Sequence, residues 1–511
     1  MKQTLISLFY RAAESKSSST LFADEKENCS GQEAIQTAQA IAGGLNSLQI
    51  GKGQRVAFLC DNSVRYVLSF FACQQMGAIP CALHVRTTVN DIARALQWLD
   101  ASALIIDMQY KKIVSEAIAL GESSIPLIVL DSPEKEKNTL SYAKLIDSSP
   151  LQFDTDQVSL HEPSMIILSS GTTGAPKGIV HSQQTLYNSA MAGELVFGGI
   201  ASSDSTIIAM APSFAAWNHV LFAFLAHGAK IVFIRSFDAE LFVDTISKEK
   251  ITHAALVPTA WRRALSAVNE NIDLTNFRAL FFSGEAATTD FINRIKAELP
   301  GVDIRTAYLS SEGGDASSCV ADNDLLTSRQ LSVGLPIEGA RLKIIAPTGE
   351  IDDVLDAGET GEIAVKSKSL ALGYWQNPGL SAERFVDGWW RSGDMGRLDD
   401  EGNLIISGRN DNLIISGGLK VHAEEVEAAL MKHPAIDIAA VIGQVDKEWG
   451  QRIEAFVITN IEINEEEILN FCREDALLPS FKLPKTIHFR DVLPTGATGK
   501  LYRRGLLEET N

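Results

Sequence analysis

Cysteine is scarce in this chain, and its six copies, at positions 29, 60, 73, 81, 319 and 472, follow no pattern. No CxxC pair occurs, and no His/Cys group has metal-ligand spacing, so neither a zinc site nor a disulfide framework is readable. Several copies sit in apolar runs, as in Phe70-Phe71-Ala72-Cys73. A buried free thiol is the ordinary outcome there, and a reducing cytoplasm the fitting compartment. Positive charge is short as well: 45 Lys and Arg face 64 Asp and Glu, for a net charge of −19. Broad nucleic-acid binding needs a basic surface, and the net charge argues against it. No run approaches about 18 consecutive apolar residues, so no membrane-spanning helix is predicted. The opening segment MKQTLISLFYRAAE has a short apolar stretch broken by Gln, Thr and Ser, without the core or cleavage site of a secretory signal. Internal repeats and low-complexity tracts are also missing.

What remains is a globular composition, 45% hydrophobic and 21% charged over 511 residues, too long for one core and predicting two or more domains. Between about residues 30 and 300 short apolar strands alternate with amphipathic helices. Arg55 to Leu59 reads as a strand, Ser63 to Met76 as a helix punctuated by Gly77, and Ala78 to Leu83 as the next strand. Asp91 to Leu99, Ala103 to Ile106, Thr206 to Met210, Lys230 to Ile234, His253 to Val257 and Ala279 to Phe282 continue the rhythm. Such alternation predicts an α/β fold of parallel sheets covered by helices. Ligands in such folds gather at the carboxyl ends of strands, where the polar segments after Leu168, Met210 and Phe282 fall. Leu331 to Val365 is richer in glycine and alternating residues, predicting a small β-rich subdomain. A polar stretch near 407–412 separates it from about a hundred further residues with strand and helix signals of their own. The predicted division is a large domain over 1–407, a hinge over 408–412, and a small α+β domain over 413–511.

The segment Ser169 to Gly178, SSGTTGAPKG, follows the apolar run Met165-Ile166-Ile167-Leu168. Three glycines allow backbone conformations that other residues adopt only with strain, and four hydroxyls and one lysine lie among them. Such a turn is suited to hold a polyphosphate, although Ser, Thr, Gly and Pro also make ordinary turns. It is not the GxxxxGK[ST] loop of kinases and GTPases. Gly178-Ile179-Val180 follows Lys177 and reads as a second strand, so the segment is predicted to close a hairpin.

Five more punctuated segments follow in order: Ser283-Gly284-Glu285-Ala286, Thr306 to Glu312, Trp389 to Asp394, Gly408-Arg409-Asn410-Asp411, and Pro494 to Lys500. From about residue 30 onward this ordered series resembles the adenylate-forming superfamily of acyl-CoA synthetases, adenylation domains and luciferases. The resemblance implies a phosphate loop in which Ser169, Ser170, Gly171, Thr172, Thr173, Gly174 and Lys177 hold the β- and γ-phosphates of ATP. Gly284, Glu285 and Ala286 would form the adenine turn. Thr306, Ala307 and Tyr308 would line the nucleotide, with Tyr308 stacked on adenine, Ser311 on the α-phosphate and Glu312 on Mg²⁺. Leu309 stands where the family has glycine, and Ser311 where it has threonine. Asp394 and Arg409 would take the ribose hydroxyls, and Asp411 would be the hinge. Lys500 would be catalytic, stabilising the charge that builds up when a carboxylate attacks the α-phosphate.

The implied activity is ATP-dependent, AMP-forming ligation of a carboxylic acid to a thiol through an acyl-adenylate, with ATP, Mg²⁺ and CoA as reactants. Gly417 and Gly418 would line the thiol tunnel. Trp217, Asn218, His219 and Gly313 are the residues placed around the acid. No aspartate stands there to pair an α-amine, which argues against an amino acid and leaves aryl and medium-chain acyl acids open. Two other functions stay open at this point. One is a free-standing enzyme that loads the phosphopantetheine of a carrier protein, and the other a catalytically silent nucleotide-binding protein.

Overall fold

The computed structural model of the protein describes residues 2–122, 124–131, 139–169, 177–284, 287, 289–319, 332–447, 449–494 and 501–510. Its repeating unit is visible in the first crossover. The Ser63 hydroxyl accepts from the Tyr66 amide at 3.1 Å and starts the helix Val64–Met76, the usual role of an N-cap hydroxyl. Gly77, at φ +71°, ends it in the left-handed conformation. The chain then returns as Ile79–Ala82, parallel to Arg55–Leu59. Almost the whole helix surface is buried, with Phe70 and Phe71 at 1% and 0% exposure, because both helices and sheet cover it.

Repetition of this unit gives two large sheets among the described residues. One runs, edge to edge, Gly373–Tyr374, Lys177–Ser182, Pro163–Ser169, Ile79–Ala82, Arg55–Leu59, Ala101–Ile106, Leu127–Val129 and Leu140–Ser141. The other contains Asp303–Ser310, Ala279–Phe282, His253–Leu256, Ser205–Ile208, Lys230–Phe233 and Thr20–Ala23 in that spatial order. A single apolar cluster joins them, in which Phe58 and Ile105 of the first sheet meet Phe22, Phe233 and Phe281 of the second through the helices between. Burying one such phenylalanine stabilises by about 1.5–3 kcal/mol. The helix Leu5–Ser15, which sequence patterning passes over, belongs to this core. Its Phe9 stacks on Phe71 at 4.3 Å, and the Ile6 amide donates to Gln183 Oε1 at 3.0 Å.

A smaller antiparallel sheet holds Ala340–Ile345, Gly361–Ser367, Trp389–Leu398, Phe385–Val386 and Leu404–Arg409. A fourth sheet holds Leu413–Ser416, Leu419–His422, Ile436–Asp446, Gly450–Thr459 and Thr486–Phe489, packed on the helices Ala423–Leu430 and Glu465–Glu474. The protein is thus α/β, with a β-rich unit and an α+β unit following in the chain. Only the turn Asn410–Asn412 separates Leu404–Arg409 from Leu413–Ser416, although these strands lie in different sheets.

Candidate active site

The strands Pro163–Ser169 and Lys177–Ser182 form an antiparallel hairpin with Ser169 opposite Lys177 at its mouth. Ser170, Gly171, Thr172, Thr173 and Gly174 lie outside the described residues. The short strand Gly373–Tyr374 adds to the outer edge of the hairpin, placing Tyr374 beside Ile179. Lys177 Nζ then lies 5.9 Å from the centre of the Tyr374 ring, and the Tyr374 hydroxyl donates to Glu312 Oε1 at 3.1 Å. One phenol therefore has the hairpin lysine over its ring and the Glu312 carboxylate on its hydroxyl. Burial raises the Glu312 carboxyl above its ordinary range, opposed by the Tyr374 hydrogen bond. A nearby cation would relieve that burial penalty. A single hard oxygen ligand also suits Mg²⁺, which takes its other ligands from phosphate and water, so Glu312 fits the ion.

Asp394 is the second centre. The antiparallel pairing of Trp389–Leu398 with Leu404–Arg409 sets Asp394 opposite Arg409. Arg409 Nε lies 3.1 Å from Asp394 Oδ1, and the Tyr308 hydroxyl donates to Oδ2 at 2.6 Å. Both carboxylate oxygens are thereby fixed. Burial, then the adjacent Asp394 charge, push the Tyr308 phenol well above its ordinary range, so it stays protonated as a donor. The turn carrying Asp394 is itself braced. Ser392 Oγ donates to Ile363 O at 2.7 Å and accepts from the Asp394 amide at 3.0 Å. Glu362, 5% exposed, accepts from the Gly393 amide at 3.0 Å and from Arg391 at 2.6 Å.

The strand Asp303–Ser310 joins the two centres. Thr306 and Ala307 are buried in it, with Thr306 paired to Phe282, so this strand runs beside the one leading into Ser283 and Gly284. Gly284 adopts φ +85°, a conformation that favours glycine. Glu285 and Ala286 lie outside the described residues. Beyond the strand, Ser311 O accepts from His181 Nε2 at 2.8 Å, and Glu312 follows.

Behind Ser311 lies a narrow cavity lined by Ile167, His181, Leu186, Ser189, Asn218, His219, Phe222, Ser311 and Gly314. Burial depresses both imidazoles to about 4, so they are neutral at physiological pH. His181 Nδ1 pairs with Thr185 Oγ1 at 3.1 Å, and His219 Nδ1 with Ser189 Oγ at 3.4 Å. Of the four residues placed around the acid by resemblance, Asn218 and His219 line this cavity. Trp217 does not. It is fully buried in the main core, with Nε1 donating to Asn62 Oδ1 at 2.8 Å and its ring edge-on to Tyr66. The helix Ala215–Ala226 turns it about 100° from Asn218, onto the face packed against Val64–Met76. Gly313 is not among the lining residues either, whereas its neighbour Gly314 is. Gly313 instead offers its carbonyl to Ser367 Oγ at 3.1 Å.

Asp411 is exposed in the turn Asn410–Asn412. Gly417 and Gly418, at φ +57° and +80°, form a two-residue hairpin turn in the C-terminal sheet. A Cβ on Gly417 would come within 2.9 Å of the Trp449 ring. Lys500 lies outside the described residues. Just outside its loop, the Tyr502 amide donates to Pro494 O at 2.8 Å, and Leu493 and Leu506 share a buried cluster with Phe456. Sequence reading missed Tyr374, His181 and Ser189. The hairpin and the Gly373–Tyr374 strand bring the first two to the site, and no local motif marks them.

A carboxylate with both oxygens braced, a lysine-bearing hairpin and a lone carboxylate at a strand end are the parts expected of an adenylate-forming ligase. Residues 9–375 match the AMP-binding enzyme family, and residues 425–500 match the AMP-binding enzyme C-terminal domain. The chain belongs to the AMP-binding enzyme family and is an ATP-dependent, AMP-forming acid–thiol ligase. It is 27% identical over 484 residues to a 2-succinylbenzoate–CoA ligase of Bacillus cereus (strain Q1), covering 94% of each chain. It is 29% identical over 479 residues to a feruloyl-CoA synthase of an Amycolatopsis species, covering 92% of each. The solved structure of the anthranilate CoA ligase AuaEII with anthranoyl-AMP superposes with a TM-score of 0.89 at 26% identity, covering 100% of this chain and 99% of that one.

Proposed function

We propose that this protein is an aryl acid–CoA ligase. An aromatic carboxylate attacks the α-phosphorus of ATP, releasing pyrophosphate and leaving an aryl-adenylate. The thiol of CoA then attacks the acyl carbon, releasing AMP and leaving the thioester. The observation that carries this reading is the braced Asp394, joined by one strand to Glu312 and to a cavity with no charged side chain among its described lining residues. Aromatic acids and CoA in the names of the relatives support the aryl and CoA assignments over a medium-chain acid or a carrier protein.

In this reading Asp394 and Arg409 take the ribose, with Tyr308 orienting Asp394 and offering its ring to adenine beside Gly284, Glu285 and Ala286. Lys177 and the hydroxyls of Ser169, Ser170, Thr172 and Thr173 hold the phosphates. One charge pair at roughly 4 Å is worth about 4 kcal/mol at an effective dielectric near 20, before desolvation. Mg²⁺ at Glu312 would neutralise phosphate charge. Ser311 meets the α-phosphate, and Lys500 stabilises the charge that concentrates there during attack. We further propose a division at residues 408–412, with Asp411 as hinge, so that Lys500 serves the first step and Gly417-Gly418 the second. The change of sheet across Asn410–Asn412 supports that division. No helix among the described residues is long and apolar enough to cross a membrane. The free, buried thiols of Cys29, Cys60, Cys73, Cys81 and Cys472 support a reducing cytoplasm as the compartment.

The test is acid-dependent pyrophosphate–ATP exchange over benzoates, cinnamates and medium-chain acids, followed by CoA against a carrier protein with the best acid. Lys500→Ala should lower exchange about a hundred- to a thousandfold while ATP still binds. Full exchange in that variant, or no exchange with any aromatic acid in the native enzyme, would overturn the assignment.

A further inference from the structure

Ala371 to Trp375 tie the lysine hairpin to the turn that carries Glu312. The Leu372 and Trp375 amides donate to Val180 O at 2.7 Å and to Gly178 O at 2.6 Å, while the Ala371 amide donates to Glu312 O at 2.9 Å. The same five residues thereby hold the backbone of both. Within them Gly373 adopts φ +137°, and a Cβ there would come within 2.9 Å of Ser381 Oγ. Lacking one, the strand lies against the helix Pro378–Arg384, and the Tyr374 amide donates to Ser381 Oγ at 2.9 Å. Tyr374 is 8% exposed, with its ring edge-on to Phe385 at 5.7 Å. From this packed position its hydroxyl donates to Glu312 Oε1 at 3.1 Å. Among the described residues this phenol is the one side-chain group hydrogen-bonded to the Glu312 carboxylate.

The contrast with Asp394 is chemical. Asp394 faces the Arg409 guanidinium, which suits a carboxylate that receives neutral hydroxyls. Glu312 faces a neutral donor, which fixes a flexible side chain yet leaves its negative charge for a cation. We infer that Tyr374 is a positioning residue for Mg²⁺, holding the Glu312 carboxylate in place so that the ion meets a preorganised ligand. This rests on the ligase reading, in which Glu312 takes the ion, and adds to it a residue that no local motif marks. Hydrogen-bond partners of metal-binding carboxylates typically contribute about ten- to a hundredfold to metal affinity. Loss of the hydroxyl alone leaves the ring over which the Lys177 ammonium lies, so the metal effect is separable from the packing of the lysine.

The experiment compares the native enzyme with Tyr374→Phe, and Glu312→Gln with the double variant. Electron paramagnetic resonance measures Kd for Mn²⁺, standing in for Mg²⁺, in the complex with a non-cleavable ATP analogue. Calorimetry gives Kd for AMP without metal. Tyr374→Phe should raise Kd for Mn²⁺ about ten- to a hundredfold, leave that for AMP within about twofold, and recover pyrophosphate exchange as Mg²⁺ is raised. In the Glu312→Gln background the same substitution should change Mn²⁺ binding by less than about twofold, because the two residues act as one unit. Equal losses of AMP and Mn²⁺ affinity would mark a merely structural role and overturn the inference. An unchanged Kd for Mn²⁺ in Tyr374→Phe, or effects of the two substitutions that simply add, would overturn it too. Equal Mn²⁺ binding by the native enzyme and Glu312→Gln is a distinct failure, which would take the ion from Glu312 and overturn the parent assignment together with the inference.

Discussion

Tyr308→Phe removes one oxygen and nothing else from the candidate ribose site. The lost hydroxyl donates to Asp394 Oδ2 at 2.6 Å, while Arg409 Nε reaches Oδ1 at 3.1 Å. Without the phenol, Asp394 Oδ2 loses this donor, and the arginine on Oδ1 is 52% exposed. A hydrogen bond to a charged group contributes about 1.5–3 kcal/mol, and about 1.4 kcal/mol is a factor of ten. The nucleotide affinity should thus fall about tenfold, with about a hundredfold as the ceiling if the entire loss appears in binding. Titration of AMP by calorimetry and KM for ATP in pyrophosphate exchange give two independent readings. The melting temperature should change little, because the ring still fills its place among Val333, Ile344, Val365 and Trp390. An AMP affinity within twofold of the native value, with the fold intact, would refute the claim that Tyr308 orients Asp394 for the ribose.

Two further perturbations test other parts of the structure. Asp107 is 6% exposed, and burial, with the charges of Asp131 and Asp61 adding to it, raises its carboxyl from 3.8 to about 6 against an opposing hydrogen bond from the Asp61 amide. The folded chain therefore holds this proton more tightly than the unfolded one. The resulting stability is fully present below about pH 4 and is lost as pH rises through about 6. Two pH units at about 1.4 kcal/mol each give a loss of about 3 kcal/mol. Asp107→Asn keeps an acceptor for the Asp61 amide at 2.8 Å and should flatten denaturant-derived stability between pH 4 and about 6. An unchanged slope would contradict the assignment. Gly417→Ala forces a side chain into φ +57° and to 2.9 Å from Trp449, a strain of about 1–2 kcal/mol. Thioester formation should drop several-fold more than pyrophosphate exchange, and an equal drop in both would remove the turn from the thiol step.

The sequence made the strand–helix rhythm legible because its punctuation is chemical. Ser63 and Gly77 bracket one helix as an N-cap hydroxyl and a left-handed glycine must, and Arg55–Leu59 and Ala279–Phe282 begin and end where their apolar runs do. The hairpin at 163–182 was readable because apolar runs flank a turn-forming segment. Pairing across distance was not readable. Tyr374 reaches Glu312 only because a two-residue strand attaches to the hairpin edge. Nothing in Gly373-Tyr374 itself announces that pairing. Trp217 and Asn218 show the same limit at one-residue scale, since a motif gives position along a helix but not which side faces the cavity. Leu5–Ser15 does carry a one-sided pattern, with Arg11, Glu14 and Ser15 exposed and Leu5, Leu8, Phe9 and Ala12 buried, but sequence reading weighs its short apolar stretch only as a secretory signal.

The His181 ring has a consequence for how errors are rejected. Its Nε2–H donates to the Ser311 carbonyl, and the same residue lines the cavity. If the cavity receives the acid and Ser311 the α-phosphate, as proposed, a misfitting acid that pushes on the ring would also tilt the Ser311 peptide. Poor substrates should then be penalised in turnover as well as in occupancy, so that raising the concentration of a wrong acid does not rescue its rate.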